Sequence, residues 1–253
     1  MAHFFTSDWH LDHANIMNYS LRLAFMTPTE QELTLAAHRA NVESEGRKRV
    51  KVEYSRASID RMNSAIIDNI NAVVGPDDIL WNLGDVLFWR RKSSDVSLYD
   101  RLKSYRDRIV CKHLRLIWGN HDYQLRFESE KPKISKKEFF SLFEEVHEQK
   151  EITIEEQRIT LNHYAMLTWN GNSKGAWQLY GHSHGNLEPW RKANLPNALQ
   201  LDVGIDARNL LLQGKRNQVP GDYRPWSFVE LAQFMQQKTG QPVDFLTSLP
   251  QDL

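Results

Sequence analysis

The feature that most constrains the fold of this chain is a set of short apolar runs, each followed at once by a polar cluster. Residues 3–6, 79–83, 114–118, 158–162 and 176–180 have the length and composition of strands, and helical patterns separate several of them. The clusters that follow are Asp8/His10, Asp85, Asn120/His121, His163 and His182/His184. Because strands in layered α/β proteins gather their carboxyl ends at one edge, where ligands bind, we expect an α/β fold in which these clusters meet.

Further elements are predicted between and beyond these runs. The predicted helices cover residues 58–74 and 95–105, a stretch marked by Phe139, Phe140, Phe143 and Val146, and a closing helix that ends near Lys238. A capping box of Ser227 and Glu230 begins the closing helix. Residues 151–155 are predicted to pair with residues 158–162 as a hairpin, and residues 199–203 are interpreted as the last strand.

The length predicts one domain over residues 1–253, with inserted segments at about 28–56 and 209–221. A domain of this size buries roughly three quarters of the surface that its unfolded chain exposes. The first segment is polar and highly charged, and the second is rich in Gly, Gln and Asn. Both are predicted to be loops or small helical excursions near the rim of the site, and their simplest interpretation is solvated insertions without a role.

The charge balance disfavours two classes of partner. The 32 basic and 32 acidic side chains cancel, whereas proteins that coat nucleic acid or lie on anionic membranes need a basic excess. A local basic groove is still compatible with this balance, so nucleic acid is a partner that the sequence does not favour. One cysteine, no signal-peptide pattern and no long apolar run predict a cytoplasmic protein with no membrane partner. The oligomeric state is left open.

The side chains of the polar clusters are ligands of divalent metals, and no cysteine takes part. Their mixture of carboxylate, imidazole and amide oxygen suits Mn²⁺ first, then Fe, Zn²⁺ or Ni²⁺, better than Ca²⁺. Residues two apart in an extended segment point the same way, so Asp8 and His10 can face one ion, as can His182 and His184. Asp85 is the candidate to bridge two ions, and two ions can clamp the oxygens of an in-line displacement and lower the pKa of a bound water towards about 7.

These residues occur as Asp8-x-His10, Gly84-Asp85, Gly119-Asn120-His121-Asp122, a lone His163 after a strand, and Gly181-His182-x-His184. In order and form they resemble the five motifs of the calcineurin-like metallophosphoesterases, and they span residues 8–184. One Gly-Asp pair is a weak signal, but five motifs in order, each at a predicted strand end, are specific. The resemblance implies two packed mixed β-sheets flanked by helices, the four-layer sandwich of that family, and hydrolysis of phosphoesters with two metal ions.

Carried over residue by residue, the resemblance implies one metal held by Asp8, His10, Asp85 and His184, and a second held by Asp85, Asn120, His163 and His182. His121 would assist the leaving oxygen without binding metal, Asp122 would orient His121, and Asn120 would also contact substrate. His13 is interpreted as a substrate contact or an outer partner of the metals, with an ordinary surface histidine as the alternative. Asp202 either supports a metal-binding histidine from behind or caps a turn.

Residues 6–16, 74–78 and 223–225 resemble small bacterial and phage phosphoesterases, whereas the segment 28–56 departs from the shortest of these. Serine/threonine protein phosphatases are less similar, because Trp118 stands where they carry an arginine. The leading hypothesis is a phosphodiesterase or phosphatase acting on a small or nucleotide-like phosphoester through a metal-held hydroxide. A metal-dependent nuclease and a non-catalytic scaffold with the same fold are the alternatives.

Overall fold

The computed structural model describes residues 1–44, 50–88 and 96–238 of the chain. The strands are β1 His3–Thr6, β2 Ile79–Asn82, β3 His113–Ile117, β4 Glu145–His147, β5 Gln149–Ile154, β6 Gln157–Asn162, β7 Trp177–Tyr180, β8 Gln200–Asp202 and β9 Trp226–Ser227. The α-helices are α1 Ala14–Tyr19, α2 Pro28–Glu43, α3 Arg56–Val73, α4 Leu98–Arg106, α5 Lys136–Phe140, α6 Glu188–Asn194, α7 Arg208–Gln213 and α8 Phe228–Gln236. Strands and helices alternate along most of the chain, which confirms the α/β fold class.

The strands of the described residues form two mixed sheets. The first has the order β4-β3-β2-β1-β9, in which β1 to β4 run parallel and β9 is antiparallel to β1. The second has the order β5-β6-β7-β8, in which β5 and β6 form the predicted antiparallel hairpin and β6 to β8 run parallel. The parallel strands of each sheet therefore end at one edge, as the sequence pattern predicts.

Alternate residues of the first sheet point into two different apolar cores. Phe4 packs with Ile66 of α3 on the face that the helices cover. Phe5 and Trp81 point to the opposite face and pack with residues of the second sheet, such as Leu179. Both Phe5 and Trp81 are fully buried, and burying one large apolar side chain stabilises a fold by about 1.5–3 kcal/mol. This arrangement confirms the prediction of two packed sheets flanked by helices.

The two helices predicted from periodicity form with shifted starts. α3 is capped by the Ser55 side chain, which accepts a hydrogen bond from the Ser58 N–H. Its buried face carries Ile59, Met62, Ile66 and Ile70. α4 begins at Leu98 after a similar cap at Ser97, and residue 95 of the predicted helix lies outside the described residues. Among the described helices, none has both the length and the apolar character that crossing a bilayer requires.

Two predictions about short elements are wrong. The helix predicted through Val146 ends at Phe140, and Val146 lies in β4, where it pairs with Leu116 of β3. Residues 199–203 do contain a predicted strand, β8, but it is not the last one, because β9 pairs with β1 later in the chain. Strands β4 and β9 have three and two residues, so their pairing partners define them and no periodicity can reveal them.

The inserted segment 28–56 contains α2, a helix of 16 residues, where a loop or a small helical excursion is predicted. Thr27 and Glu30 form a capping box at its start, and Pro28 is its first residue. Residues 45–49 of this segment lie outside the described residues. The segment 209–221 contains most of α7 and the beginning of a 3₁₀ turn, Pro220–Asp222, in agreement with the small helical elements predicted there.

The Glu30 carboxylate connects α2 to the beginning of α3 by hydrogen bonds. It is buried and accepts hydrogen bonds from the Thr27 N–H, the Ser55 N–H and the Ser58 hydroxyl at 2.8, 2.7 and 2.6 Å. Burial alone raises the pKa of Glu30, but these hydrogen bonds outweigh it and lower the pKa to about 2. The ionised carboxylate therefore stabilises the packed position of α2.

Glu30→Gln should lower the free energy of unfolding by about 1–3 kcal/mol at neutral pH, because hydrogen bonds to a charged acceptor are lost. The folded-state pKa of about 2 lies below the ordinary 4.5, so this stabilisation is complete above the ordinary value and is lost as the pH falls through the folded value. Urea unfolding at pH 7 and pH 3 should show the difference between the two proteins shrinking at the lower pH. The exposed control Glu53→Gln should leave the free energy of unfolding unchanged at both pH values. If Glu30→Gln lowered the free energy of unfolding equally at pH 7 and pH 3, the role of the charge would be contradicted.

Candidate metal centre

The loops that follow β1, β2 and β3 are joined by hydrogen bonds. The backbone N–H groups of Asp8 and His10 donate to the carbonyl oxygens of Gly84 and Asp85, both at 2.9 Å. The backbone N–H of His121 donates to Asp85 Oδ1 at 2.8 Å. Three of the predicted clusters therefore meet at the edge of the first sheet.

The loops of the second sheet reach the same edge. His163 follows β6, and its Nδ1 lies 2.7 Å from the carbonyl oxygen of Leu83. Because a carbonyl only accepts, Nδ1 carries the proton and Nε2 presents its lone pair. The backbone N–H of His182, after β7, donates to both carboxylate oxygens of Asp8 at 3.1 and 2.9 Å. The convergence of the clusters from both sheets is thereby confirmed.

Two groups of side chains bring their donor atoms within 4.8 Å of one another, the first being Asp8, His10 and His184 and the second Asp85, His163 and His182. Asn120 joins the second group, since its Oδ1 lies 3.0 Å from His163 Nε2 and 2.9 Å from His182 Nδ1. The membership of both groups matches the division that the family resemblance implies. All seven predicted ligands are thus neighbours in space.

Asp85 lies between the two groups. Its Oδ2 is 3.4 Å from His10 Nε2, in the first group, and 3.6 Å from His163 Nε2, in the second. Its other oxygen is held by the His121 N–H. One carboxylate oxygen within reach of ligands from both groups is the geometry that a shared, bridging ligand requires.

The surroundings of His10 and Asp85 indicate whether these residues fit a cation. His10 Nε2 is buried and has no hydrogen-bond partner among the described residues, and an orphaned buried polar atom costs about 1–3 kcal/mol. Burial and the carboxylates of Asp122 and Asp8 raise the pKa of Asp85 well above its usual range. A divalent cation would satisfy the orphaned nitrogen and neutralise this concentration of acidic groups, so the residues fit metal ions.

Most of the predicted ligands have a left-handed backbone. The value of φ lies between 48° and 65° at Asp8, His10, Asp85, His182 and His184. The prediction of extended segments is therefore wrong: Asp8 and His10 do share a group, but His182 and His184 divide between the two groups. A left-handed conformation costs a non-glycine residue about 1–3 kcal/mol and concentrates at functional sites.

Two glycines make the close approach of these loops possible. Gly84 has a φ of 107°, which a side chain rarely adopts. At Gly119, an added Cβ would overlap the Asp85 carboxylate. Gly84 and Gly119 therefore allow the two loops to approach each other around Asp85 without a steric clash.

Asp122 holds the loops after β2 and β3 together. It has no exposed surface, and its Oδ2 accepts hydrogen bonds from the N–H groups of Asp85 and Gly119, both at 2.8 Å. Its Oδ1 accepts from the Val86 N–H at 3.0 Å. Asp122 thus positions the backbone that carries Asp85, while its orientation of the His121 imidazole stays a prediction.

His121 lies beside the two groups and belongs to neither. Its ring centroid is 5.2 Å from that of His10 and 5.9 Å from that of His13. The side chain is partly exposed, and burial of the remainder lowers the pKa of His121 below its ordinary value. The structure therefore places an imidazole that solvent can reach at the border of the centre.

His13 is 6% exposed, which excludes the alternative of an ordinary surface histidine. Its Nδ1 lies 3.2 Å from the Nδ1 of His10, and its ring stacks on Phe88 with the centroids 4.1 Å apart. This position behind His10 agrees with the interpretation of His13 as an outer partner of the metal ligands. The prediction that His13 contacts substrate stays a prediction.

Asp202 confirms the turn-capping alternative and supports the loop of His182 and His184, whereas the carboxylate in contact with His184 itself is that of Asp206. Asp202 Oδ2 accepts hydrogen bonds from the Ser183 hydroxyl at 2.6 Å and the Gly185 N–H at 2.9 Å, so it holds the loop of His182 and His184 from behind. Its Oδ1 accepts from the Gly204 N–H at 2.8 Å and caps its own turn.

A buried ion pair behind His184 was not predicted. The Asp206 carboxylate lies 2.7 Å from His184 Nδ1 and accepts hydrogen bonds from Arg22 at 2.9 and 2.8 Å. Arg22 also donates to the backbone carbonyl oxygens of Asp8 and Trp9 at 2.7 and 2.9 Å. The pair therefore couples the loop of Asp8 to the loop of His184.

The contacts around Asp206 also shift the pKa values of His184 and of Asp206 itself. Burial lowers the pKa of His184, but the carboxylates of Asp8 and Asp206 outweigh it and raise the pKa to about 9. Burial raises the pKa of Asp206, but Arg22 and His184 outweigh it and hold that pKa well below its usual range. Asp206 follows β8 as the other site residues follow their strands, which is a signal that could have identified it. Nothing in the sequence around Arg22 distinguishes it.

Comparisons with known proteins indicate a fold and no family. No protein-family model matches the chain, and no curated protein matches it. The crystal structure of a protein of unknown function, AQ665 from Aquifex aeolicus, has a TM-score of 0.52 at 19% identity, covering 92% of this chain and 98% of that one. YfcE, a phosphoesterase from E. coli, has a TM-score of 0.30 at 18% identity, covering 73% of this chain and 70% of that one. The first likeness shows a shared fold, and the second is too low to carry an argument.

Asp206→Asn should weaken metal binding by about 10–100-fold, because His184 loses the carboxylate that orients it. Calorimetric titration of Mn²⁺ into the metal-free protein measures the affinity and the stoichiometry. Circular dichroism and thermal unfolding, recorded separately, show whether Arg22, left buried without its counter-ion, has destabilised the fold. The surface control Asp107→Asn should bind Mn²⁺ like the unmodified protein. An unchanged affinity in a folded Asp206→Asn variant would show that Asp206 does not position His184.

Proposed function

We propose that this chain is a phosphoester hydrolase of the calcineurin-like metallophosphoesterase type that uses two divalent metal ions on a small or nucleotide-like substrate. The observation that carries the proposal is the position of Asp85, whose Oδ2 lies 3.4 Å from His10 Nε2 and 3.6 Å from His163 Nε2. A shared carboxylate suits two cations about 3.5–4 Å apart, the separation that two-metal phosphatases and nucleases use.

In this proposal each ligand group holds one ion, and Asp85 contributes to both. The ligands of the first ion are Asp8, His10, Asp85 and His184, and those of the second are Asp85, Asn120, His163 and His182. When bound, the two ions supply an activated water at neutral pH and stabilise charge on the phosphate oxygens. Oxygen and nitrogen donors without sulfur support Mn²⁺, with Fe, Zn²⁺ or Ni²⁺ as alternatives.

We assign His121 to the leaving oxygen, which it would protonate or stabilise by a hydrogen bond in the transition state. Its backbone N–H is bound to Asp85 Oδ1, so the residue is positioned by the same carboxylate that joins the ligand groups. Burial lowers the pKa of His121, and a neutral imidazole still donates one hydrogen bond. Assistance of this kind contributes about 10²–10⁴-fold to a rate.

The purified protein should hydrolyse bis(4-nitrophenyl) phosphate with added Mn²⁺ and stop when the metal is chelated. Asp85→Asn should abolish this turnover, because both ions lose their shared ligand. Release of nitrophenolate measures turnover, and inductively coupled plasma mass spectrometry measures bound metal in the same samples. Asp77→Asn, an exposed aspartate paired with Lys112, is the matched control and should retain both.

The competing hypotheses give different results in this assay. Absence of turnover with mono- and diesters under Mn²⁺, Fe, Zn²⁺ and Ni²⁺ would contradict the proposal and favour a non-catalytic scaffold. Preferential cleavage of oligonucleotides over mononucleotide esters would favour a nuclease.

His121→Ala should reduce kcat by about 10²–10⁴-fold while two metal ions per chain are retained, since His121 belongs to neither ligand group. Steady-state kinetics and metal analysis of the same preparation test this division of roles. His113→Ala, which removes a histidine paired with Glu144 away from the ligand groups, is the control. A His121→Ala protein that had lost its metals would show that the residue is a ligand.

A further inference from the structure

A cavity of about 660 Å³ opens between α1, α2 and residues 50–52. Ligand pockets for small molecules have volumes of about 300–1,000 Å³. Its polar lining consists of Asn15, Asn18, Tyr19, His38, Asn41 and Lys51. Among the described residues that line it there is no carboxylate, so its lining suits a neutral or anionic ligand better than a cationic one.

Helix α1 connects this cavity to the metal centre. His13, which contacts His10, is the N-cap residue that directly precedes α1. Tyr19 ends the helix, and its ring lies edge-on to that of His13 with the centroids 6.4 Å apart. A helix of six residues is about 9 Å long. The cavity and the metal centre are therefore neighbours, joined by one short helix.

The opposite wall of the cavity is held in place by contacts made on α2. The Asn41 side chain accepts a hydrogen bond from the Val50 N–H at 3.3 Å. The Thr34 hydroxyl lies 2.9 Å from the hydroxyl of Tyr54, and the buried Glu30 carboxylate binds the beginning of α3. These contacts hold the described wall residues of α2 against residue 50 and the beginning of α3.

The lining has the chemistry of a site for a planar, hydrogen-bonding group. Tyr19 is 61% exposed and offers an aromatic face, and stacking of a base on such a ring contributes about 1–3 kcal/mol. The asparagine amides each donate and accept, which matches the mixed donor and acceptor edges of nucleobases. Lys51 adds a positive charge beside them.

We propose that this cavity binds the nucleoside part of a nucleotide-like phosphoester, with the base stacked on Tyr19 and its edge bonded by the asparagines. The position of the phosphate rests on the proposed function, whereas the nucleoside site rests on the cavity alone. A volume of this size suits one nucleoside, and the chain as a whole has no net positive charge to hold a longer strand.

Binding of free nucleosides to the metal-free protein tests the site without catalysis. Adenosine, guanosine, cytidine and uridine, titrated separately and followed by NMR, should include at least one that binds saturably at one per chain. Tyr19→Ala should weaken that binding by about tenfold or more, and Tyr19→Phe should restore it, because the ring and not the hydroxyl makes the stack. Tyr123→Ala removes a tyrosine of similar exposure, 57% against 61%, and should have no effect on nucleoside binding.

Two chromogenic esters test the same site during turnover. With Mn²⁺ present, kcat/KM for the 4-nitrophenyl ester of thymidine 5′-phosphate should exceed that for methyl 4-nitrophenyl phosphate. Tyr19→Ala should reduce this ratio by about tenfold, whereas Tyr19→Phe and Tyr123→Ala should keep it.

The outcomes separate this proposal from the proposed function. Hydrolysis of both esters with equal kcat/KM and no nucleoside binding would overturn the nucleoside site and leave the hydrolase intact. Saturable nucleoside binding that depends on the Tyr19 ring, with neither ester hydrolysed, would support the site and overturn the hydrolase. Nucleoside binding that is unaffected by Tyr19→Ala would overturn the site, since the ligand would then lie elsewhere.

Discussion

The Asp122 carboxylate is the interaction on which the rest of the centre depends. With no exposed surface, it accepts hydrogen bonds from the backbones of Gly119, Asp85 and Val86. It therefore fixes the loops after β2 and β3 relative to each other. Asp85, whose carboxylate lies between the two ligand groups, is one of the residues held in this way. A buried acceptor with several amide donors is rigid, which is what two ligand groups in close contact require.

The proximity of the seven candidate ligands was predictable from sequence because its signal is local. Each ligand follows a strand-like apolar run, and parallel strands end at a common edge, so the order of the motifs already implies their proximity. The same reasoning applies to α3, where apolar spacing and the cap at Ser55 define the helix. At these positions the structure that the local sequence favours is the one that forms in the folded chain.

The parts that were not predictable depend on contacts between distant segments. Arg22 and Asp206 are 184 positions apart and form their pair only when both loops are in place. β4 and β9 are defined by their partners β3 and β1. The left-handed backbone of the candidate ligands has only a weak signature in the sequence, because Asp and His adopt it more often than most residues but still rarely. α2 is different, since the capping box of Thr27 and Glu30 was visible in the sequence.

The left-handed conformations limit how far this protein can be stabilised. Replacing a left-handed residue by glycine ordinarily relieves strain, but at Asp8, His10, Asp85, His182 and His184 it would delete a donor atom of the centre. Thermal robustness and cation affinity are therefore opposed at the same five positions. Any gain in robustness has to come from residues remote from these loops, such as those on the outer helices.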